Sequence, residues 1–281
     1  MAIEVLDHSL SCPICRSDLD RRAGAFLCPE GHSFDIAKQG YVNLIGPGGG
    51  VHTADSKEML AARHRVLEAG LFEPISVELG RILLEAGLGT RDGLVVDLGC
   101  GTGHYLDRVL ETLPRMSGIG LDNSKVAVRQ VARRHPRAGA AVADIWEYIP
   151  IRSDLTNVVL NLFAPRNPAE MERISAPGGL ITVVSAGEGH LDELIERFSM
   201  ISVDPSKAER LERGFGHLEP VVRAREVSWE MDLFRSEVED VVAMGPSAGR
   251  LEPDQLTAAV AALPDRTEVT GVVSVSAFKV A

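Results

Sequence analysis

From Gly93 onward the chain repeats one pattern: a short apolar run, a turn, then a stretch whose apolar residues keep helical spacing. Leu94-Val95-Val96-Asp97-Leu98 predicts a first strand, and 104–113 the helix that follows it. A second strand is expected at 118–122 with a helix over 124–135, then strands at 140–144, 155–162 and 181–185. Such alternation predicts an α/β, Rossmann-like fold, a mostly parallel sheet covered by helices on both faces. The tail differs. Residues 221–233 and 268–280 are long alternating strands with helical segments between them, and they predict an antiparallel C-terminal edge.

Upstream, Met59, Leu60, Arg63, Val66 and Leu67 keep helical spacing, with Asp55 or Ser56 as cap and Gly70 as stop. A second helix over about 74–86 carries Ile75, Leu79, Ile82 and Leu83 on one side. Residues 1–45 are too few to bury an adequate core, so a metal is expected to substitute for it. Gly46-Pro47-Gly48-Gly49-Gly50 reads as a flexible linker. The expected division is a small metal domain (1–45), a linker with helices (46–90) and the α/β domain (91–281).

That metal has an evident site. Cys12-x₂-Cys15 and Cys28-x₃-His32 are two close pairs, each in a turn made by Pro or Gly, separated by a hairpin-sized gap. Three thiolates and an imidazole suit tetrahedral Zn²⁺, and four protein ligands leave no open position, so the zinc is expected to be structural.

The 281 residues carry four cysteines and a formal net charge of −11. Thiols committed to metal, with Cys100 left over, fit a reducing cytoplasm. No apolar run reaches the ~18 residues of a membrane span, and the N-terminus lacks the basic and apolar regions of a secretory signal. The acidic balance weighs against a nucleic-acid partner. Locally it reverses: Arg108, Arg115, Lys125, Arg129, Arg133, Arg134 and Arg137 face few acids, as a solvated helix face or a binding surface.

Asp97-Leu98-Gly99-Cys100-Gly101-Thr102-Gly103 sits where the first strand meets the first helix, the place where open α/β sheets bind ligands. Gly99, Gly101 and Gly103 let backbone approach a ligand closely. The spacing is G-x-G-x-G, with His104 where a pyrophosphate loop continues, and Asp97 is unwelcome beside phosphate. A phosphate-free cation, S-adenosylmethionine (SAM), fits better. Asp122 ends the second strand, where it can accept both ribose hydroxyls or cap the helix that starts at Asn123 or Ser124. Asp144 ends the third and can accept from the adenine amino group, with Ile145 or Trp146 against the ring. Arg63 can grip the cofactor carboxylate in two hydrogen bonds. After the fourth strand, Asn161-Leu162-Phe163-Ala164-Pro165 faces the methyl group, so Asn161, Phe163 and Pro165 are the candidate catalytic residues, with a turn-capping Asn as the competing account. Phe163, Trp146 and Tyr41 are the aromatics expected to hold an acceptor base. His104 and Asn123 complete the candidate cofactor-binding set; the general base is not readable, since His104 and His64 each have a structural or solvent-facing role as the competing account.

The zinc quartet followed by Phe34-Asp35-Ile36-Ala37-Lys38-Gln39-Gly40-Tyr41-Val42-Asn43-Leu44 resembles the 23S rRNA guanine-N1 methyltransferases, the RlmA/TlrB family. Asp55-Ser56-Lys57-Glu58-Met59, Ala62-Arg63 and the glycine loop are similar to that family too. The resemblance implies SAM-dependent methylation of guanine N1 in a 23S rRNA hairpin near the peptide exit tunnel, by a zinc-containing homodimer whose two zinc modules and catalytic domains frame an RNA cleft. In some members it implies resistance to macrolides such as tylosin. Ala69-Gly70-Leu71-Phe72-Glu73-Pro74 departs from the Gly-His-Tyr-like stretch common in relatives, and the zinc region is acidic. Two other readings stay open: a methyltransferase for small natural products, and a SAM-binding protein without turnover.

Overall fold

The computed structural model describes residues 2–45, 54–202, 204, 206–245, 247–248 and 253–281. The glycine linker expected at 46–50 lies outside the described residues. The N-terminal module holds β1 (Asp20–Arg22), β2 (Ala25–Leu27) and β3 (Ser33–Asp35) in an antiparallel sheet of their own. Then come β4 (Val42–Asn43), α1 (Lys57–Glu68) and α2 (Glu73–Glu85). Ser56 caps α1 by accepting the Met59 N–H, as its position before the apolar stripe predicts.

Alternation follows: β5 (Gly93–Leu98), α3 (His104–Thr112), β6 (Met116–Asp122), α4 (Lys125–Arg134), β7 (Ala138–Val142), β8 (Thr156–Leu162), α5 (Pro168–Ile174) and β9 (Ser175–Ala186). The chain closes with α6 (Asp192–Phe198), α7 (Lys207–Phe215), β10 (Glu219–Phe234), α8 (Arg235–Ala243), α9 (Pro253–Ala261) and β11 (Arg266–Lys279). Strand β9 begins six residues earlier than its apolar run, because Pro177-Gly178-Gly179 interrupts the pattern while the backbone stays paired with β8.

Eight strands form one sheet in the order β10-β11-β9-β8-β5-β6-β7-β4. Only β11 is reversed, lying antiparallel between β9 and β10, so the antiparallel strand is one place in from the edge. At the other edge β4 pairs parallel with β7, so two residues of the N-terminal segment complete the large sheet.

Side chains alternate across the sheet and meet two different covers. Val95, Val158 and Leu160 pack with α1–α4, α8 and α9. Leu94, Val96, Leu98, Ile119 and Val159 pack instead with Leu6, Leu10, Leu19, Phe26 and Phe34 of the metal module, and with Met171 and Ile174 of α5. The module therefore does have a core, shared with the sheet, which corrects the expectation that metal alone replaces one. Polar contacts fasten it: Ser11 N–H to Pro150 O, Arg152 N–H to Ser9 O, and Tyr148 Oη to Ser11 Oγ at 2.8 Å.

Most of the basic run is spent within the fold. Arg108 pairs with Glu73, Arg115 with Asp92, and Arg134 with Glu68 and Asp107. Arg137 donates to carbonyls at the end of α3. Lys125, Arg129 and Arg133 stand exposed at four-residue spacing, one stripe along α4.

Candidate active site and metal centre

The C-terminal ends of β5 to β9 open into a cavity of about 1180 Å³. Strand order reverses at β5, whose neighbours β6 and β8 lead to opposite sides of the sheet. Between β5 and α3 the backbone turns through Gly99, Gly101 and Gly103 with φ of 75°, 51° and 76°. A Cβ at 99 would stand 2.6 Å from Ala164 Cβ, and one at 103 would stand 2.9 Å from Val131 Cγ2. The loop is a cradle that only glycine fits.

Asp122 accepts the Gly101 N–H at 2.9 Å and the Ser124 N–H at 2.8 Å. It does not cap α4, a role taken by Ser124. A carboxylate has about four acceptor positions, so capacity for a ligand's hydroxyls is left. Burial raises the Asp122 pKa, opposed by those two N–H groups. Asp97 is 3% exposed; burial, then the charge of Asp122, push its carboxyl up to about 8. A neutral acid beside an acid is poised to ionise when a cation arrives.

Arg63 reaches from α1 to the same loop: its Nη1 would lie 3.3 Å from a Cβ at 101, it pairs with Asp55, and its Nη2 donates to Met244 O. Arg63 thus enters the cavity already half satisfied. His104 opens α3, is 2% exposed, and turns Nδ1 toward Arg134 and Glu68. Its Nε2 is buried without a partner at the cavity wall, where a polar ligand atom would satisfy it. Asn123, Asp144 and Ile145 also line the cavity; Ile145 is buried against the glycine loop. Asp144 lies two residues beyond β7 and accepts the Trp146 N–H at 2.8 Å.

On the other side, Asn161 is fully buried; its Nδ2 donates to Pro165 O at 2.8 Å and its Oδ1 accepts from Arg166 Nε at 3.2 Å. The expectation that Asn161 orients an acceptor directly is corrected: its amide braces the turn. That turn presents Pro165 at the wall and holds Phe163 at φ 53°, 46% exposed, in a conformation costly for a bulky residue. Phe163 stacks on His190, ring centroids 6.2 Å apart. Tyr41 is 6% exposed within the core and does not line the cavity, and His64 is exposed on the outer side of α1.

His190, Arg166, Lys207 and Arg210 line the cavity and were missed. Arg166 directly follows the Asn161–Pro165 motif. His190 lies just past the fifth strand, so following the strand-end rule one strand further would have reached it. His190 Nδ1 accepts the Val272 N–H, and burial pushes its pKa down to about 4. The neutral ring therefore carries its proton on Nε2, as a donor.

In the module, the ligand atoms of Cys12, Cys15, Cys28 and His32 all lie within 4.8 Å of one another. Cys15 Sγ is 3.6 Å from Cys28 Sγ, and His32 Nδ1 is 3.6 Å from Cys12 Sγ and 3.3 Å from Cys28 Sγ. A tetrahedron with Zn–S bonds of about 2.3 Å has edges of roughly 3.7 Å, so the quartet fits zinc and leaves no open position. The His32 N–H also donates to Cys28 Sγ, the outer-shell support such thiolates need.

A family model described as "RlmA, N-terminal", a zinc ribbon, matches residues 10–47, and one described as "Methyltransferase domain" matches 95–179. The 23S rRNA (guanine(748)-N(1))-methyltransferase of Streptomyces fradiae is 43% identical over 93% of both chains. A Micromonospora griseorubida protein, provisionally named a 23S rRNA (guanine-N(1)-)-methyltransferase, is 41% identical over 98% of both. The chain belongs to the 23S rRNA (guanine-N1)-methyltransferase family. The solved structure of YcgJ from Bacillus subtilis has a TM-score of 0.47 at 13% identity, covering 71% of this chain and 97% of that one. As a family member the chain is a SAM-dependent methyltransferase with a structural zinc site. The glycine cradle, the buried acids and the orphaned His104 Nε2 fit that cofactor.

Proposed function

We propose that this chain methylates N1 of a guanine in a 23S rRNA hairpin near the peptide exit tunnel. The observation that carries the reading is the joining of two things in one chain: a cavity with intact strand-end acids, and likeness to rRNA guanine-N1 methyltransferases along nearly its whole length.

When bound, SAM supplies a methyl group on a cationic sulfur. Asp122 would accept from the ribose hydroxyls, Asp144 and Ile145 would hold the adenine, and Arg63 with His104 would take the carboxylate end. Asp97 would ionise beside the cofactor's positive charge. The target base leaves its stack, at a cost of a few kcal/mol, and rests against Phe163. Guanine N1 must lose its proton to solvent water at the cavity mouth before or as it attacks. His190 cannot accept it at Nδ1, which is already engaged; its Nε2–H instead stabilises negative charge on the base. Transfer would be an in-line displacement at the methyl carbon, and its main demand on this chain is to align the base with the bound cofactor.

A ribosomal substrate implies a cytoplasmic enzyme, and among the described residues no helix is long and apolar enough to cross a membrane. We extend the reading to a homodimer and to macrolide resistance, checked by sedimentation and by tylosin susceptibility. The primary test is mass spectrometry of 23S rRNA from cells with and without the gene, starting at guanine 748. The same 23S rRNA in both strains would overturn the reading.

A further inference from the structure

The charges around the cavity are segregated. Asp97, Asp122 and Asp144 belong to the side built on β5, β6 and β7, with Asp55 beside them. Arg166, Lys207 and Arg210 belong to the side built by the turn after β8 and by α7. Among the described residues the carboxylate paired with this trio is Asp204, 2.7 Å from Arg210. Arg166 is bonded through Nε to a neutral amide, Asn161.

The three cations act on one another. Burial, then Arg210, hold Arg166 below its usual value. Burial and Arg166 do the same to Lys207, with Asp204 opposing and Arg210 adding. The fold forces the approach: α7 rests on the start of α5, where a Cβ at Gly214 would lie 2.8 Å from Pro168 Cγ. A chain of net charge −11 does not need a net positive, half-buried cluster for solubility, and the mutual repulsion works against folding.

We propose that Arg166, Lys207 and Arg210 form a phosphate subsite, gripping the backbone phosphate next to the nucleotide whose base lies on Phe163. The proposal rests on the nucleic-acid reading above and deepens it. Two guanidinium forks and an ammonium suit a phosphate's oxygens, and a phosphate offsets the cluster's repulsion. The subsite makes a nucleotide, rather than a free base or nucleoside, the unit that is recognised. It also sets the base at a fixed distance from the acidic, cofactor side.

The test compares guanosine, 5′-GMP and 3′-GMP as ligands of the full chain saturated with S-adenosylhomocysteine, by calorimetry, for wild type and the double variant Lys207→Gln/Arg210→Gln. In wild type at least one nucleotide should bind about tenfold tighter than guanosine. That gap should close to within about twofold in the double variant, with S-adenosylhomocysteine affinity unchanged. Lys207→Gln alone serves if the double variant does not fold, with a partial closing of the gap expected. Equal binding of guanosine and both nucleotides to wild type overturns the proposal, as does a gap that survives the substitutions. Methyl transfer to a 23S rRNA hairpin is scored separately. Wild type that prefers the nucleotide but leaves RNA unmethylated keeps the subsite and removes the RNA reading; methylated hairpin without that preference does the reverse.

Discussion

Asp122 Oδ2 accepts the backbone N–H of Gly101 at 2.9 Å, so the acid at the tip of β6 holds the glycine loop at the tip of β5. Removing it takes away both a ligand acceptor and the loop's tether. Asp122→Ala is expected to weaken SAM binding by about 2–3 kcal/mol, a loss of at least thirtyfold, with the melting temperature little changed. Calorimetry showing wild-type affinity would remove the ribose assignment.

Asp97 makes SAM affinity depend on pH. Its carboxyl titrates near 8 in the folded chain against 3.8 ordinarily, and the ionised form is the one that pairs with a cation. Affinity should rise from pH 6 to 8, then level off, with proton release visible in buffers of different ionisation enthalpy. Stability without cofactor runs the other way. Between the two values the folded chain holds a proton that the unfolded chain has lost, so stability falls as pH rises. Asp97→Asn should flatten the stability profile, raise the melting temperature at pH 8, and leave a weakened SAM affinity that no longer changes between pH 6 and 8. A flat affinity profile in wild type would contradict this.

At Gly99 the expectation is steric. A Cβ there meets Ala164 Cβ at 2.6 Å, on backbone with φ of 75°. Gly99→Ala should cost about 1–3 kcal/mol of stability and lower SAM affinity, read by thermal melts and calorimetry. A variant with unchanged melting and binding would show that the loop yields easily.

In the proposed reading Phe163 meets the acceptor base and not the adenosyl group. Phe163→Ala should leave SAM affinity within about twofold while lowering kcat/KM on an rRNA hairpin by roughly 10–100-fold, the scale of one base–aromatic stack. Loss of SAM binding with activity per bound cofactor intact would place it on the wrong side.

Zinc is expected to support the whole chain. Cys12 and Cys28 lie within the apolar cluster that covers one face of the sheet. Cys15→Ser should lose the metal and lower melting by roughly 10 °C or more in one transition. Two separate transitions, the later at the wild-type temperature, would show that the module and sheet fold independently.

Much of this was legible because the signals are local. The strand–turn–helix alternation, the thiol spacing and the acids at the ends of β5 and β6 and just past β7 need no knowledge of distant contacts. Arg166, Lys207, Arg210 and His190 come together only through α7 docking on α5 and β11 passing beside β9, which pattern does not encode. Asn161 shows the same limit in reverse. It stands at the end of β8 as the pattern predicts, but whether its amide faces a ligand or its own turn depends on a neighbour's guanidinium. Tyr41 was misjudged because an aromatic near a site and an aromatic under a sheet edge read alike.

The two residues of β4 have a mechanical result. They extend the large sheet, and the ribbon before them shares apolar contact with its face. Bound at both places, the N-terminal segment has no hinge in its described part and cannot swing to deliver a substrate. The cavity is walled instead by the strand ends and by helices such as α1, α7 and α8, so the zinc end acts as a fixed brace on the sheet and not as a moving arm.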